Sequence, residues 1–257
     1  MNPLAAVGRV FLAFLERVGR VAVFTARALV HCFVPPVYFS LIGRQFVEIG
    51  YFSLPVVGLT AIFTGMVLAL QSHTAFSGIS AGSAVATIVV LSMTRELGPV
   101  LAGLMVAGRV GAAMAAEIGT MRVTEQVDAL ETLATNPYKY LVAPRILAAV
   151  IALPALVVID DVIGVFGGFL VSTYKLGYNP AVYLHATWDS LKTMDVVSGL
   201  VKATVFGFTI ALMGCYNGYH SRGGAQGVGQ ATTNSVVSAS ILILTLDYVL
   251  TVLFFNR

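Results

Sequence analysis

Long apolar stretches alternate with short polar segments along most of this chain. Five of the stretches have about the 20 residues that an α-helix needs to cross the hydrocarbon core of a bilayer. We place them at residues 51–71, 83–108, 146–170, 196–216 and 232–254. The pattern therefore predicts an all-α integral membrane protein with five transmembrane helices, whose two termini lie on opposite sides of the membrane.

The segment before the first stretch is amphipathic. Residues 3–34 have a helical pattern, and prolines at 35 and 36 end it. Four charged residues, spaced 7, 4 and 7 positions apart, fall on a stripe about 40° wide. They are Arg9, Glu16, Arg20 and Arg27. We predict that residues 1–36 form an amphipathic helix in the membrane surface, although the same pattern also suits docking into a protein groove.

Lysine and arginine are distributed unevenly between the segments that flank the predicted spans. The connection 72–82 has neither, whereas the segment before the first span has five and the connection 109–145 has four. Because positive charge favours the cytosolic side, we predict a cytosolic N-terminus and an external C-terminus. Charges such as Arg17 interrupt the apolar core that a signal peptide would need, so we expect the mature protein to begin near Met1.

The two remaining connections predict a short external helix and a cytosolic loop. In the connection 171–195, Asn179 suits a helix cap and Pro180 suits the first helical position. A short helix is therefore expected at the outer membrane face. Three aromatic residues of this segment are expected at the membrane interface: Tyr178, Tyr183 and Trp188. The glycine-rich loop 217–230 should return the chain to the cytosol.

Composition and ligand spacing exclude several functions. The chain is 58% hydrophobic and 11% charged, with a net charge of only +3, which does not suggest nucleic-acid binding. Residues 224–231 have the glycine spacing of a phosphate-binding loop, but Gln230 and Ala231 replace its lysine and its serine or threonine. We therefore expect no ATPase site, no catalytic residue and no metal site in this chain. Cys32 and Cys215 are expected to be reduced packing residues.

Six ionisable residues interrupt the predicted spans. They are Arg95, Glu96, Asp160, Asp161, Lys202 and Asp247. Each charge costs roughly 2.5 to 3.5 kcal/mol at the centre of a membrane helix, so these side chains should face one another or water. Arg95 and Glu96 are consecutive and point about 100° apart, so each needs a partner on another helix. The charge-balanced pairs are Arg95 with Asp247 and Lys202 with Glu96.

A helix-breaking dipeptide follows the first two of these charges. Gly98 and Pro99 remove a backbone hydrogen bond and bend the second span, which frees carbonyl groups that need polar surroundings. We predict a polar cavity, open toward the outer face, at this bend. Its candidate substrate-binding residues are Arg95, Glu96, Lys202 and Asp247. The alternative is that the intramembrane charges are structural ion pairs, and this alternative is stronger for Asp160 and Asp161.

Small residues recur every four positions in two spans, as close contact between membrane helices requires. They are Gly199, Ala203, Gly207 and Ala211 in the fourth span, and Gly164 and Gly168 in the third. We interpret them as packing positions. Because five spans hardly enclose a large pathway alone, we expect a homodimer with the cavity at or beside the two-fold axis.

The connection between the second and third spans contains an amphipathic pattern over residues 117–135, ended by Asn136 and Pro137. Val123, Val127 and Leu130 share one face, and acidic residues occupy another. An acidic helix between two spans suits a basic groove of a cytosolic partner, whereas a solvated loop helix is the alternative.

Residues 95–145 resemble the signature block of the MlaE family, the permease subunits of lipid-transporting ABC systems that work with mammalian-cell-entry (MCE) domain proteins. The block begins RELGPVLAGLMVAGRVGAAMAAEIGTMRVTEQVDALETLATNP. The resemblance continues through the sequences ALP at 152–154, GVFGG at 164–168, GVGQATTNSVV at 227–237 and LDYVLT at 246–251. It covers nearly everything beyond residue 40.

The resemblance implies a permease of the bacterial inner membrane that dimerises and moves phospholipid. It implies cytosolic ABC ATPase subunits that bind ATP and Mg²⁺, small STAS-domain proteins attached to them, and a periplasmic ring of MCE proteins. It also implies that the four candidate substrate-binding residues line or support a lipid cavity, and that residues 37–257 form the permease domain. The residues implied to couple this domain to the ATPase are Glu117, Met121, Thr124, Glu125 and Asp128.

Two other functional classes remain open from the residues alone. One is an ion-coupled secondary transporter in which Glu96 or Asp247 carries a proton. The other is a membrane scaffold that anchors a periplasmic lipid-binding ring without transporting anything. The energy source of transport distinguishes the first, and tolerance of charge-neutral substitutions in the cavity distinguishes the second.

Overall fold

The computed structural model describes residues 3–35, 38–76 and 81–255, with side chains from residue 11 onward except those of residues 14 and 81. Every regular element in these ranges is helical, as predicted. The helices are α1 (Pro3–Phe33), α2 (Phe39–Ile49), α3 (Leu54–Ala75), α4 (Ala81–Ser92), α5 (Gly98–Val106), α6 (Ala112–Val123), α7 (Gln126–Thr132), α8 (Ala143–Tyr174), α9 (Pro180–Ser190), α10 (Thr193–Tyr219) and α11 (Gly224–Phe255).

Within the described ranges, five continuous helical stretches are long and apolar enough to cross a membrane. They are Phe39–Ala75, Gly82–Val123, Tyr138–Tyr174, Thr193–Tyr219 and Gly224–Phe255. A short 3₁₀ turn joins α2 to α3. In the second span, π-helical turns at Met93–Leu97 and Ala107–Gly111 join α4, α5 and α6, and a π-helical turn at Tyr138–Val142 begins the third span. The predicted number of spans is confirmed.

The observed spans are longer than the predicted ones. The second has 42 residues, or about 63 Å at 1.5 Å per residue, roughly twice the hydrocarbon thickness of a bilayer. The extensions carry charged residues such as Arg44 and Glu117, which end an apolar stretch without ending a helix. Most of the extra length lies at the end of the bundle where α7 is found, which we call the α7 side. The opposite end is the α9 side.

Small residues set the distance between the central helices. A Cβ atom on Gly207 of α10 would lie 2.5 Å from the carbonyl oxygen of Ala149 on α8. A Cβ on Gly65 of α3 would clash with the carbonyl oxygen of Gly164 on α8. The third span therefore packs closely between the first and the fourth, and the packing role predicted for Gly164 and Gly207 is confirmed.

The C-terminal half of α1 packs against the bundle at the α7 side. Phe24, Ala28 and Cys32 are buried on one helix face, and the Phe24 ring lies 5.4 Å from that of Tyr216. Burial also raises the pKa of the Cys32 thiol. Cys32 and Cys215 are both free and buried, in the packing role that the sequence predicted.

The charged stripe of α1 is on its exposed side, where Arg20 lies 3.8 Å from Glu16. Large apolar side chains in the N-terminal half of α1, including Phe11 and Leu12, are also exposed. The side chain of Arg9 lies outside the described part. That this helix lies in the membrane surface stays a prediction.

The short helix α9 has the predicted start. The Asn179 side chain accepts hydrogen bonds from the backbone N–H groups of Ala181 and Val182, at 2.9 and 3.4 Å, and Pro180 is the first helical residue. Tyr183 is not exposed as an anchor in the membrane interface would be, because its ring packs 5.8 Å from that of Phe169. Burial raises the pKa of this phenol to about 12. Tyr183 is on the face of α9 that covers α4, whereas Trp188 is exposed.

The single helix predicted over 117–135 is wrong. Residues up to Val123 continue the second span, and a separate helix, α7, begins at Gln126. Glu125 between them has φ of 60°, a left-handed conformation that interrupts the helical hydrogen bonds. A side-chain periodicity can continue across such a break, so the sequence pattern did not reveal it.

The glycine-rich loop 217–230 is also shorter than predicted. The fifth span already begins at Gly224, and Gly223 and Gly224 have φ of 89° and 69°. These two glycines make the turn between α10 and α11, because residues without a Cβ adopt such angles readily.

Candidate functional site

The π-helical turn Met93–Leu97 places the charges of the second span. Pro99 follows it and has no N–H, so in a regular helix the carbonyl oxygen of Arg95 would lack its donor. The Nζ atom of Lys202 donates to this oxygen at 2.9 Å. A cation from the fourth span therefore satisfies the carbonyl group that the proline leaves free.

Close packing brings Lys202 to this position. A Cβ atom on Gly199 of α10 would clash with the carbonyl oxygen of Thr94, so only a glycine allows α10 to pass so near the turn. Lys202 is three residues further along and lies on the same face of α10. Its side chain has no exposed surface.

Lys202 is surrounded by oxygen atoms from two other helical stretches, the second and the fifth spans. Its Nζ atom lies 2.7 Å from Glu96 Oε2, 2.7 Å from Thr251 Oγ1 and 2.8 Å from Asp247 Oδ1. The last contact is an ion pair that lacks hydrogen-bond geometry. Thr251 Oγ1 is also 3.0 Å from Glu96 Oε1. The predicted pair of Lys202 with Glu96 is confirmed, and Asp247 belongs to the same group.

Arg95 has a different partner from the one predicted. Its Nε and Nη2 atoms lie 2.8 and 2.7 Å from Oδ1 of Asp195, and its guanidinium group lies 4.6 Å from the centroid of the Phe255 ring. The predicted pair with Asp247 is wrong because Arg95 and Glu96 point in different directions from the π-helical turn. Glu96 reaches α11, whereas Arg95 reaches the first turn of α10.

Sequence reasoning missed Asp195, because it falls at the end of the predicted connection 171–195. The sequence does contain a feature that could have identified Asp195. Asp195 is in the first turn of α10 and accepts a hydrogen bond from the backbone N–H of Lys192 at 3.0 Å, a contact typical of acidic residues at helix N-termini. Recognising that start would have placed an acidic residue at the α9-side end of the fourth span.

Together these residues form an ionic cluster with a buried floor and an exposed rim. The cluster consists of Arg95, Glu96, Asp195, Lys202 and Asp247. Lys202 and Asp195 are buried, whereas the side chains of Arg95 and Glu96 are 33% and 38% exposed. The rim therefore presents one cation and one anion side by side, which suits a polar group that carries both signs of charge.

Asp160 and Asp161 lie apart from this cluster. A Cβ on Gly98 would clash with Oδ1 of Asp161 and lie 3.3 Å from Oδ2 of Asp160, so the pair faces the glycine after the π-helical turn. Both oxygens of Asp160 and Oδ1 of Asp161 are buried and have no hydrogen-bond partner in the described part of the chain. The structure thus separates these two carboxyl groups from the four predicted substrate-binding residues.

The residues predicted to contact an ATPase are all at the α7 side, but on two helices. Glu117 and Met121 of α6 line a cavity of about 510 Å³ together with Arg109 and Arg145. Glu117 Oε2 lies 2.7 Å from the buried Arg145 guanidinium. Nothing in the sequence pattern indicates that this arginine is buried.

The other three of these residues lie beyond the end of α6. The Thr124 hydroxyl donates to the carbonyl oxygen of Thr120 at 2.8 Å. Glu125 makes the left-handed break, and Asp128 forms an ion pair with Arg122. The five residues are therefore divided between a cavity wall and an exposed turn.

Comparison with known proteins identifies the family of this chain. The family model for Permease MlaE matches residues 42–253. A "Probable ABC transporter permease protein" of Rickettsia bellii is 57% identical over 256 residues, covering 100% of this chain and 99% of that protein. The Haemophilus influenzae "Intermembrane phospholipid transport system permease protein MlaE" is 35% identical over 257 residues, covering 100% of this chain and 98% of that protein.

A plant protein also matches. The chloroplastic protein TRIGALACTOSYLDIACYLGLYCEROL 1 of Arabidopsis thaliana is 36% identical over 213 residues, which cover 83% of this chain and 61% of the plant protein. The family match spans four-fifths of the chain, and the bacterial relatives match from end to end. This chain is a multi-pass membrane protein that belongs to the MlaE permease family.

Proposed function

We propose that this chain is the permease subunit of an ATP-driven phospholipid transporter of the bacterial inner membrane. It would pass lipid between that membrane and a periplasmic MCE-domain protein, and so maintain the outer membrane. The family supports a permease, and the name of the Haemophilus influenzae relative supports phospholipid as the cargo. The observation that carries the proposal is the exposed pair of Arg95 and Glu96 on the rim of the ionic cluster.

In this proposal the headgroup of a glycerophospholipid binds at the rim. The phosphate approaches Arg95, and the carboxylate of Glu96 competes for the cation or binds an amine of the headgroup, which keeps the interaction reversible. Lys202, one of the four predicted substrate-binding residues, has a supporting role in this proposal. Because its ammonium group is buried among four oxygens, it positions Glu96 and Asp247 rather than binding the lipid itself.

The partners follow from the same assignment. We infer a homodimer, cytosolic ABC ATPase subunits with STAS-domain proteins, and a periplasmic MCE ring. ATP and Mg²⁺ would bind to the ATPase, and this chain itself would carry no cofactor. The α7 side would face the cytosol, where Glu117 and Met121 line the 510 Å³ cavity that receives the ATPase contact. The N-terminus would then be cytosolic and the C-terminus periplasmic.

The test is lipid transfer from proteoliposomes that contain the assembled complex. Arg95→Ala and Glu96→Ala should abolish ATP-dependent transfer of labelled phospholipid to the MCE protein. Lys175→Ala is the matched control, since Lys175 is an exposed cation near the α9 side outside the cluster. Normal transfer by both cluster variants would favour a scaffold role instead. Transfer driven by a proton gradient without ATP would favour the ion-coupled transporter.

A further inference from the structure

A second large cavity, of about 710 Å³, lies at the α7 side between α1, the end of α10 and the first half of α11. None of the residues of the ionic cluster lines it, and it is also separate from the 510 Å³ cavity. Its size is within the range of about 300 to 1,000 Å³ that is usual for small-molecule sites.

The mouth of this cavity is strongly basic. Arg17 and Arg20 of α1 line it, and so does Arg222 of the turn between α10 and α11. No aspartate or glutamate is among its described lining residues. Arg20 has a loose contact with Glu16 at 3.8 Å, whereas Arg17 and Arg222 have no acidic partner in the described ranges. Two cations without a carboxylate partner, beside a third whose contact with Glu16 is loose, favour an anionic ligand.

One wall of the cavity is apolar and leads away from the arginines. Val237 and Ile241 of α11 line it and are exposed, and the exposed Leu244 continues the same face of the helix. The spacing of these residues makes an apolar track that runs along α11 toward the α9 side. A basic mouth joined to an apolar track fits a ligand with a negative head and a hydrocarbon tail.

We propose that this cavity binds an anionic phospholipid of the leaflet that faces the α7 side. Its phosphate lies among Arg17, Arg20 and Arg222, and one acyl chain follows α11. This proposal rests on the proposed function only in assigning the α7 side to the cytosol. It adds a lipid-binding site in the opposite half of the bilayer from the ionic cluster.

The experiment measures binding of labelled phosphatidylglycerol to the full chain in nanodiscs of phosphatidylcholine. The double variant Arg17→Gln/Arg222→Gln should bind about thirtyfold more weakly, as expected for the loss of two cations that face an anionic headgroup. Arg27→Gln, on the same helix but outside the cavity, should bind like the parent. Excess inorganic phosphate should not displace the lipid, because it lacks the chain that contacts α11.

Equal binding by the double variant and the parent would overturn the proposal, as would displacement by free phosphate. Ile241→Asp keeps all three arginines and should also weaken binding, so it tests the apolar track if the double variant does not fold. Full binding by Ile241→Asp, or a crosslink from position 241 to a second copy that persists in saturating lipid, would contradict it. Arg95→Ala should still bind here, so the two proposals are tested by different variants.

Discussion

The Nζ atom of Lys202 lies 2.9 Å from the carbonyl oxygen of Arg95, the acceptor that Pro99 leaves without a helical donor. The Lys202 side chain thus satisfies a backbone carbonyl group and also neutralises Glu96 and Asp247. The helix break and the charges of this membrane helix depend on each other. Removing the lysine would expose both to an apolar environment, where each unsatisfied polar group is costly.

Lys202→Met should therefore destabilise the protein strongly. The methionine keeps much of the length of the side chain but leaves two carboxylates and a carbonyl oxygen without their cation. Breaking a buried ion pair in this way costs about 3 to 5 kcal/mol. Thermal unfolding in detergent measures the effect, with the exposed Lys175→Met as control. Combining Lys202→Met with Glu96→Gln and Asp247→Asn should recover part of the lost stability. If the triple variant is no more stable than Lys202→Met, the ion pairs of Lys202 with these two carboxylates do not stabilise the protein.

Gly199→Ala should move α10 away from the π-helical turn. The added methyl group would clash with the carbonyl oxygen of Thr94, and overpacking of this kind costs about 1 to 3 kcal/mol. Gly108→Ala is the control, because a Cβ there has no neighbour within 4 Å. Both variants are compared by melting temperature and by lipid transfer. Equal behaviour of the two would show that α10 does not pack as closely as described.

Asp160→Val should stabilise the protein. Asp160 is 1% exposed and both of its carboxyl oxygens lack partners, and leaving a buried polar group unsatisfied costs about 1 to 3 kcal/mol. Valine is of similar size and needs no hydrogen-bond partner. A higher melting temperature is expected, whereas the exposed Asp189→Val should change little. A lower melting temperature for Asp160→Val would indicate that the carboxyl group binds an ion or a partner in the assembled protein.

Glu117→Gln should weaken the communication with the ATPase. The substitution removes the charge that faces the buried guanidinium of Arg145 across 2.7 Å, so the wall of the 510 Å³ cavity loses its ion pair. In the assembled complex we expect lipid-stimulated ATP hydrolysis to fall several-fold, while the ATPase still co-purifies. Glu16→Gln on the exposed stripe of α1 is the control. If lipid stimulates ATP hydrolysis equally in Glu117→Gln and the parent, Glu117 does not couple this chain to the ATPase.

The charges could be located from the sequence, but their partners only in part. Glu96 and Lys202 are opposite charges in apolar spans, and such charges seek each other in a membrane. Arg95 and Asp195 could not be paired, since hydropathy places an aspartate near a helix end in a loop. Helical periodicity also contains no information on how two helices are aligned with each other.

Irregular backbone conformations were the other feature that could not be predicted from the sequence. The sequence indicates a bend at Gly98 and Pro99, but it does not indicate the π-helical turn of Met93–Leu97, against which Gly199 packs. The left-handed Glu125 is similar, because side-chain patterns continue across the break. Long apolar spans are predictable because the bilayer fixes their length and composition, whereas local departures depend on tertiary contacts.

Photocrosslinking with a phospholipid that carries a reactive group in its headgroup tests the central claim most directly. The assembled complex is irradiated and the modified peptides are identified by mass spectrometry. We predict adducts within Met93–Leu97 and near Phe255, which lies against Arg95, and their loss in Arg95→Ala. Adducts that are absent from this turn, or equally abundant in Arg95→Ala, would contradict a headgroup site on the rim of the ionic cluster.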